Sequence, residues 1–191
     1  IFGSSGIAAA APKDYCADLK GANTGSSCVI QLADPAYAVS INIPQDYPDQ
    51  KSVSEYVSQT RDAFLNVAKS GATRTAPYQL TATPTEYTSA VPPRGSQAVV
   101  FKVTQSLGDG NSKTTFKAFN WDQGYRKPIT IDNLFRQGTQ PFPVIYPIVA
   151  DQVAKQFGGD AESIPAAVGL DPSTYQNFAI TNDSLIFFFD R

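Results

Sequence analysis

The side chains able to do chemistry in this sequence are serines, carboxylates, lysines and a single pair of cysteines, because its 191 residues include no histidine. A Ser/His/Asp or Cys/His catalytic set needs an imidazole to take the nucleophile's proton near neutral pH, and that group is missing here. Two cysteines without histidine cannot complete a Cys/His tetrahedral zinc site. No Gly-x-Ser-x-Gly elbow occurs either: Gly3-Ser4-Ser5-Gly6 lies in the small-residue start of the chain, and Gly95-Ser96 lacks the frame. The sequence therefore predicts no catalytic residues, no metal ligands and no cofactor. A serine activated by a lysine or a carboxylate is the enzymatic alternative that these absences leave open.

Three clusters invite a functional reading and each has a plainer one. Asp109-Gly110-Asn111 resembles the start of a calcium loop but lacks the closing Glu, so it reads as a turn. Asp46, Asp49 and Glu55 could form a carboxylate group, yet Asp49 just ahead of a helix start suits the helix dipole. Trp121, Tyr125 and Arg126 place aromatics and a guanidinium in a loop after a strand, which is the composition of an interaction hot spot. Arg94 in the rigid Pro92-Pro93-Arg94-Gly95 loop joins them as a candidate interaction surface, with core packing of Trp121 the competing reading.

Cys16 and Cys28 are the whole cysteine complement, and an isolated pair in an exported chain is expected to bond. Closing a loop of this size stabilises by roughly 3 kcal/mol in the chain-entropy model. Export is suggested by the first ten residues, an apolar and small-residue stretch running into Ala8-Ala9-Ala10, read as a signal-peptide remnant; the competing reading is a cloning scar. If the segment is retained, Ile1, Phe2 and Ile7 would contact a membrane or a partner. Ten helical residues reach only about 15 Å, half of a hydrocarbon core of roughly 30 Å, so they cannot span a bilayer by themselves. A net charge of −2 and no run of Lys or Arg leave nothing to neutralise phosphates, so nucleic acid is not an expected partner.

The elements that must position these residues follow from periodicity. Cys28 to Leu32 and Tyr37 to Ile43 read as strands turned at Asp34-Pro35, the second with Tyr37, Val39, Ile41 and Ile43 on one face. Ser52-x-x-Glu55 reads as a capping box for a helix over Val53 to Lys69. Tyr78 to Val91 reads as a twisted strand interrupted or bulged near Pro84. Ala98 to Leu107 and Thr114 to Trp121 form a hairpin across Gly108-Asp109-Gly110-Asn111. Ile129 to Phe135 is ambiguous, and a second helix runs from Phe142 to Phe157 with Pro143 and Pro147 confining its start. Tyr175 to Thr181 and Ser184 to Phe189 read as a hairpin, whose last strand is apolar on both faces and is expected at the centre of a sheet. Residues 11–191 are thus expected to form one α+β domain, a twisted antiparallel or mixed sheet with two main helices.

Several stretches together resemble one family, the mycobacterial secreted immunogenic proteins of the 64 type and their paralogues. They include Asp34-Pro35-Ala36-Tyr37, Tyr47-Pro48-Asp49-Gln50-Lys51, Gln59-Thr60-Arg61-Asp62, Pro92-Pro93-Arg94-Gly95, Tyr125-Arg126-Lys127-Pro128-Ile129-Thr130 and Gly169-Leu170-Asp171-Pro172. The resemblance covers nearly the whole chain. It implies an α+β fold with a β-grasp-like part, export, a relation to the extracellular sensor domain of lysozyme-binding anti-sigma factors, and a further stretch beyond Phe189. It implies no reaction. The expected function is that of a secreted or envelope protein, without enzymatic activity, that binds a protein partner or an envelope component. The alternatives are an esterase-like serine hydrolase working without histidine, and a structural accessory of a membrane assembly.

Overall fold

The computed structural model describes residues 6, 12–70, 75–90, 94–158 and 164–190. Of the signal remnant only Gly6 falls within them, so the contacts expected of Ile1, Phe2 and Ile7 lie outside the described residues.

A short helix α1 (Tyr15–Asp18) opens the chain, followed by strands β1 (Ala22–Asn23), β2 (Ser27–Ala33) and β3 (Tyr37–Pro44). Helix α2 (Gln50–Ala68) then leads to β4 (Tyr78–Ser89), β5 (Ser96–Ser106), β6 (Ser112–Asp122) and β7 (Lys127–Pro128). These seven strands form one sheet in sequence order. All neighbours are antiparallel except β3 and β4, which α2 joins as a parallel crossover. The sheet is mixed and the fold is α+β.

Alternation along the strands assigns the two faces. On β5, Val99, Phe101 and Val103 point one way, and with Val39, Ile41, Ile43 and Leu80 they form the main core against α2. Helix α2 meets that core with Val53, Val57, Phe64 and Ala68. Each fully buried Val or Phe there stabilises by roughly 1.5–3 kcal/mol. Ala98 and Val100 point to the opposite face, where Ala179, Tyr87, Phe116, Ala118 and Phe188 cover them. The sheet is thus sandwiched, with α2 on one side and the C-terminal segment on the other.

Three expectations require correction. Helix α2 starts at Gln50, not Val53, and its cap is Asp49: the Ser52 amide donates to Asp49 Oδ1 at 3.2 Å and the Ser52 hydroxyl to Oδ2 at 2.7 Å. Ser52 is already inside the helix, so the Ser52/Glu55 capping box does not form. The earlier start is set by Gln50, whose amide donates to the carbonyls of Pro44 and Tyr47 and folds the preceding loop against the helix end. Strand β4 passes through Pro84 in unbroken register with Phe101. Proline is tolerated because β3 pairs with β4 only as far as Ala82, so Pro84 sits where no ladder on that side needs its missing N–H.

The third correction concerns the C-terminal end. After α3 (Ile131–Leu134), α4 (Phe142–Gln156) and α5 (Ala166–Gly169), a 3-10 turn over Pro172–Tyr175 takes the place of the expected first strand residues. Only β8 (Phe178–Ile180) and β9 (Leu185–Phe187) pair, as a separate two-stranded sheet. Leu185 to Phe189 is apolar on both faces because it lies between layers. Phe188 packs on the main sheet, while the rings of Phe187 and Phe189 stand 4.9 and 6.1 Å from that of buried Tyr175. The two-sided apolar pattern of a central strand and of a hairpin sandwiched between layers is the same.

At the N-terminal end Cys16 and Cys28 are bonded, with 5.6 Å between their Cα atoms, which joins α1 to β2. Arg61 on α2 reaches the same corner, its Nη1 donating to the Leu19 carbonyl at 2.6 Å.

Candidate functional site

The proposed interaction residues separate into two groups. The Gln123 amide donates to the Gly95 carbonyl at 2.8 Å, which brings the loop carrying Arg94 beside the β6–β7 turn carrying Tyr125 and Arg126. All three are exposed, Tyr125 to 81%. Arg126 holds φ at 53°, in a turn whose first residue, Asp122, accepts from the Gly124 and Tyr125 amides. Trp121 does not join them: it is half-buried against the main core, and its Nε1 has no partner among the described residues. Asp109 is a turn residue, its Oδ1 accepting from the Asn111 amide at 2.9 Å. That bond holds its carboxyl below the ordinary range.

The structure adds a site that sequence patterns did not reveal. A cleft of about 780 Å³ opens where four separate stretches meet. One wall is the start of α2 with Tyr47, Asp49 and Ser52; a second is the edge of β6 from Lys117 to Asn120. The chain leaving β7, Pro128 to Asp132, forms a third, and the 3-10 turn with Asp171, Ser173 and Gln176 closes the fourth. The cleft exists because β7 pairs with β6 only at Trp121 and Asp122, after which the Ile129 amide makes one bond to the Asn120 carbonyl and the two segments part.

Several of its polar groups are held in place by local contacts. Asp49 is fixed by its two contacts with Ser52, and Asp171 Oδ1 accepts from the Ser173 amide at 2.9 Å. Lys117 Nζ lies 5.3 Å from the centre of the Phe119 ring and 5.9 Å from that of Tyr56. Burial, with the Asp49 charge adding to it, raises the Tyr47 phenol well above its ordinary value, so it stays a neutral hydroxyl and supplies no base. Buried Asn120 donates through Nδ2 to the Phe178 carbonyl at 2.7 Å, tying this wall to the C-terminal hairpin. Among the described residues no group of three or more Cys, Asp or Glu side chains is placed to hold a metal ion.

Tyr47-Pro48-Asp49, Pro128-Ile129-Thr130 and Asp171-Pro172, three of the stretches that carry the family resemblance, all contribute to this cleft. Their separation in sequence is why no spacing motif announced it. The one local signal was capping chemistry, since Asp49 and Asp171 each begin a helical turn.

Residues 132–191 match the family model described as a protein of unknown function, DUF3298. Two solved DUF3298 structures are distant matches. One, from Pseudomonas aeruginosa, has a TM-score of 0.45 and 12% identity over 70% of this chain and 66% of its own. The other, from Bacteroides fragilis, has a TM-score of 0.42 and 13% identity over 87% of this chain and 84% of its own. The relation to curated proteins is far nearer. Immunogenic protein MPB64 of Mycobacterium bovis and immunogenic protein MPT64 of Mycobacterium tuberculosis are each 55% identical over 97% of this chain and 81% of their own length. A further Mycobacterium tuberculosis protein, named Esterase Rv3036c, is 45% identical over 95% of this chain and 80% of its own. Identity at that level along nearly the whole sequence leaves one assignment: the chain belongs to the mycobacterial MPB64/MPT64 family of immunogenic proteins.

Proposed function

We propose that this chain is an exported protein of the cell envelope, or one released from it, that works by binding rather than by catalysis, and that the cleft between α2, β6 and the 3-10 turn is where it binds. The observation that carries this reading is the cleft itself, within the range of about 300–1,000 Å³ typical of ligand sites and lined by polar groups of which Asp49, Ser52, Asn120 and Asp171 are fixed by their own neighbours. Pre-organised side chains lose little freedom when a ligand arrives, which favours binding. The naming of its relatives as immunogenic proteins supports an extracytoplasmic location. No described helix is long and apolar enough to cross a membrane.

The test is capture from solubilised native envelope by the immobilised protein, compared with an Asp132→Ala/Gln176→Ala variant. Both side chains line the cleft and are exposed, so their loss should spare the fold. Components retained by the wild type and lost by the variant support the reading; identical retention overturns it.

A second reading rests on the relative named as an esterase and on one contact. The Ser52 hydroxyl, inside the cleft, donates to a carboxylate, the arrangement that a hydrolase without histidine would need. Against it, the same contact is fully accounted for by the helix cap. Turnover of short-chain esters that Ser52→Ala abolishes, with the fold intact, would establish this reading in place of the first.

A further inference from the structure

The cleft's lining narrows the chemistry of what it takes. Its charged groups are three carboxylates, Asp49, Asp132 and Asp171, and one ammonium, Lys117. That balance repels phosphates and other polyanions. It does not suit a purely cationic ligand either, because Lys117 stands in the same wall, held over Phe119.

The remaining lining alternates hydroxyls and amides with apolar surface from Phe119, Ile129 and Pro172. A carboxylate has about four lone-pair sites, and the contacts made by Asp49 and Asp171 leave some of theirs open. The ligand must therefore bring many donors, accept a bond from an ammonium, and present an apolar face as well. A sugar ring does all three: each hydroxyl both donates and accepts, and the C–H face of the ring packs on apolar side chains. A lipid chain would leave the carboxylates unpaired. An extended peptide would need the outward amides of β6, but those of Phe116 and Ala118 already donate to Asp190 and Asn177 side chains.

We infer that the cleft is a carbohydrate site, taking a short uncharged glycan segment with the carboxylates of Asp132 and Asp171 and the amide of Gln176 as its hydrogen-bonding partners. This rests on the reading of the cleft as the binding site and specifies its ligand class.

The experiment is a titration of the isotopically labelled full chain, followed by amide NMR, with three probes in turn: tetrasaccharides of N-acetylglucosamine, of mannose and of arabinose. The expected result is saturable shifts with at least one of them, confined to amides such as Ala118, Asn120, Thr130 and Ser173. The Asp132→Ala/Gln176→Ala variant should bind about tenfold more weakly while its other resonances stay in place. Tetralysine in parallel addresses the competing ligand class. Shifts at the cleft with tetralysine and none with the sugars would overturn the carbohydrate assignment. So would silence from all three sugars while envelope capture still depends on Asp132 and Gln176, which leaves the binding reading standing. Silence here together with unselective envelope capture would remove both.

Discussion

Gly169 lies directly against the ring of Tyr146: a Cβ built on the glycine would come within 2.1 Å of Cδ2. The Tyr146 hydroxyl donates to the Ile164 carbonyl, so the ring is anchored at its far end and cannot swing aside. This contact holds α5 on α4. Gly169→Ala should therefore destabilise the protein by about 1–3 kcal/mol, the usual cost of overpacking a fixed contact. Urea denaturation followed by tyrosine fluorescence checks it, and a loss that Tyr146→Ala relieves would assign the effect to this pair.

The bond between Cys16 and Cys28 predicts that the unreduced, denatured protein exposes no free thiol. Alkylation with mass detection reads this, and one labelled cysteine per chain would contradict it. Cys16→Ser/Cys28→Ser should cost about 2–5 kcal/mol in stability. Some of that cost should appear in α2 as well, because Arg61 bonds the Leu19 carbonyl inside the cross-linked corner.

Asp49→Ala removes the side chain that satisfies the Ser52 amide at the head of α2. The expected cost is about 1 kcal/mol, with no change in fold. Ser52→Ala should cost less, since it leaves the amide bond to Asp49 in place. A chemical denaturation series on both variants distinguishes this order from the reverse, which a capping role for Ser52 would have required.

Glu86 gives a pH prediction. Partial burial, with a hydrogen bond to Asp46 and that residue's charge, raises its pKa from 4.5. The folded state thus holds this proton more tightly than the unfolded chain does. The associated stability is fully present in acid below the unfolded value and fades as pH rises through the higher folded one. The charge of the neighbouring Asp46 and the loss of hydration both disfavour the ionised form of Glu86. Glu86→Gln should then be modestly more stable than wild type at pH 7, with the advantage shrinking toward pH 4. Parallel denaturation curves across that range test it, and an advantage constant with pH would count against the pairing.

Much of the fold was legible because burial leaves a period in the chain. Val39, Ile41 and Ile43 alternate since one face of β3 is buried, and the β5–β6 hairpin was marked by turn chemistry at Gly108 to Asn111. The helix cap is not fixed by the sequence pattern because two good capping residues, Asp49 and Ser52, stand three apart. The choice between Asp49 and Ser52 was made by Gln50 folding back on Pro44 and Tyr47, a contact no pattern encodes. Phe187, Phe188 and Phe189 read as a sheet centre because apolarity on both sides does not say whether the neighbours are strands or layers. The cleft was illegible for a different reason. Its walls come from residues about 47, 118, 130 and 172, and only the parting of β7 from β6 makes a space between them.

The side chains of Asn177 and Asp190, which accept from the Ala118 and Phe116 amides, stand beside β6 where a longer β7 would run. An outer strand with open amides is a template on which another copy of the chain can polymerise. The C-terminal segment therefore acts as an internal stopper as well as a cover for Ala98 and Val100. Lifting it off the sheet would bare two amide donors of β6 and the apolar surface of Ala98 and Val100 together, the combination that favours edge-to-edge pairing between chains.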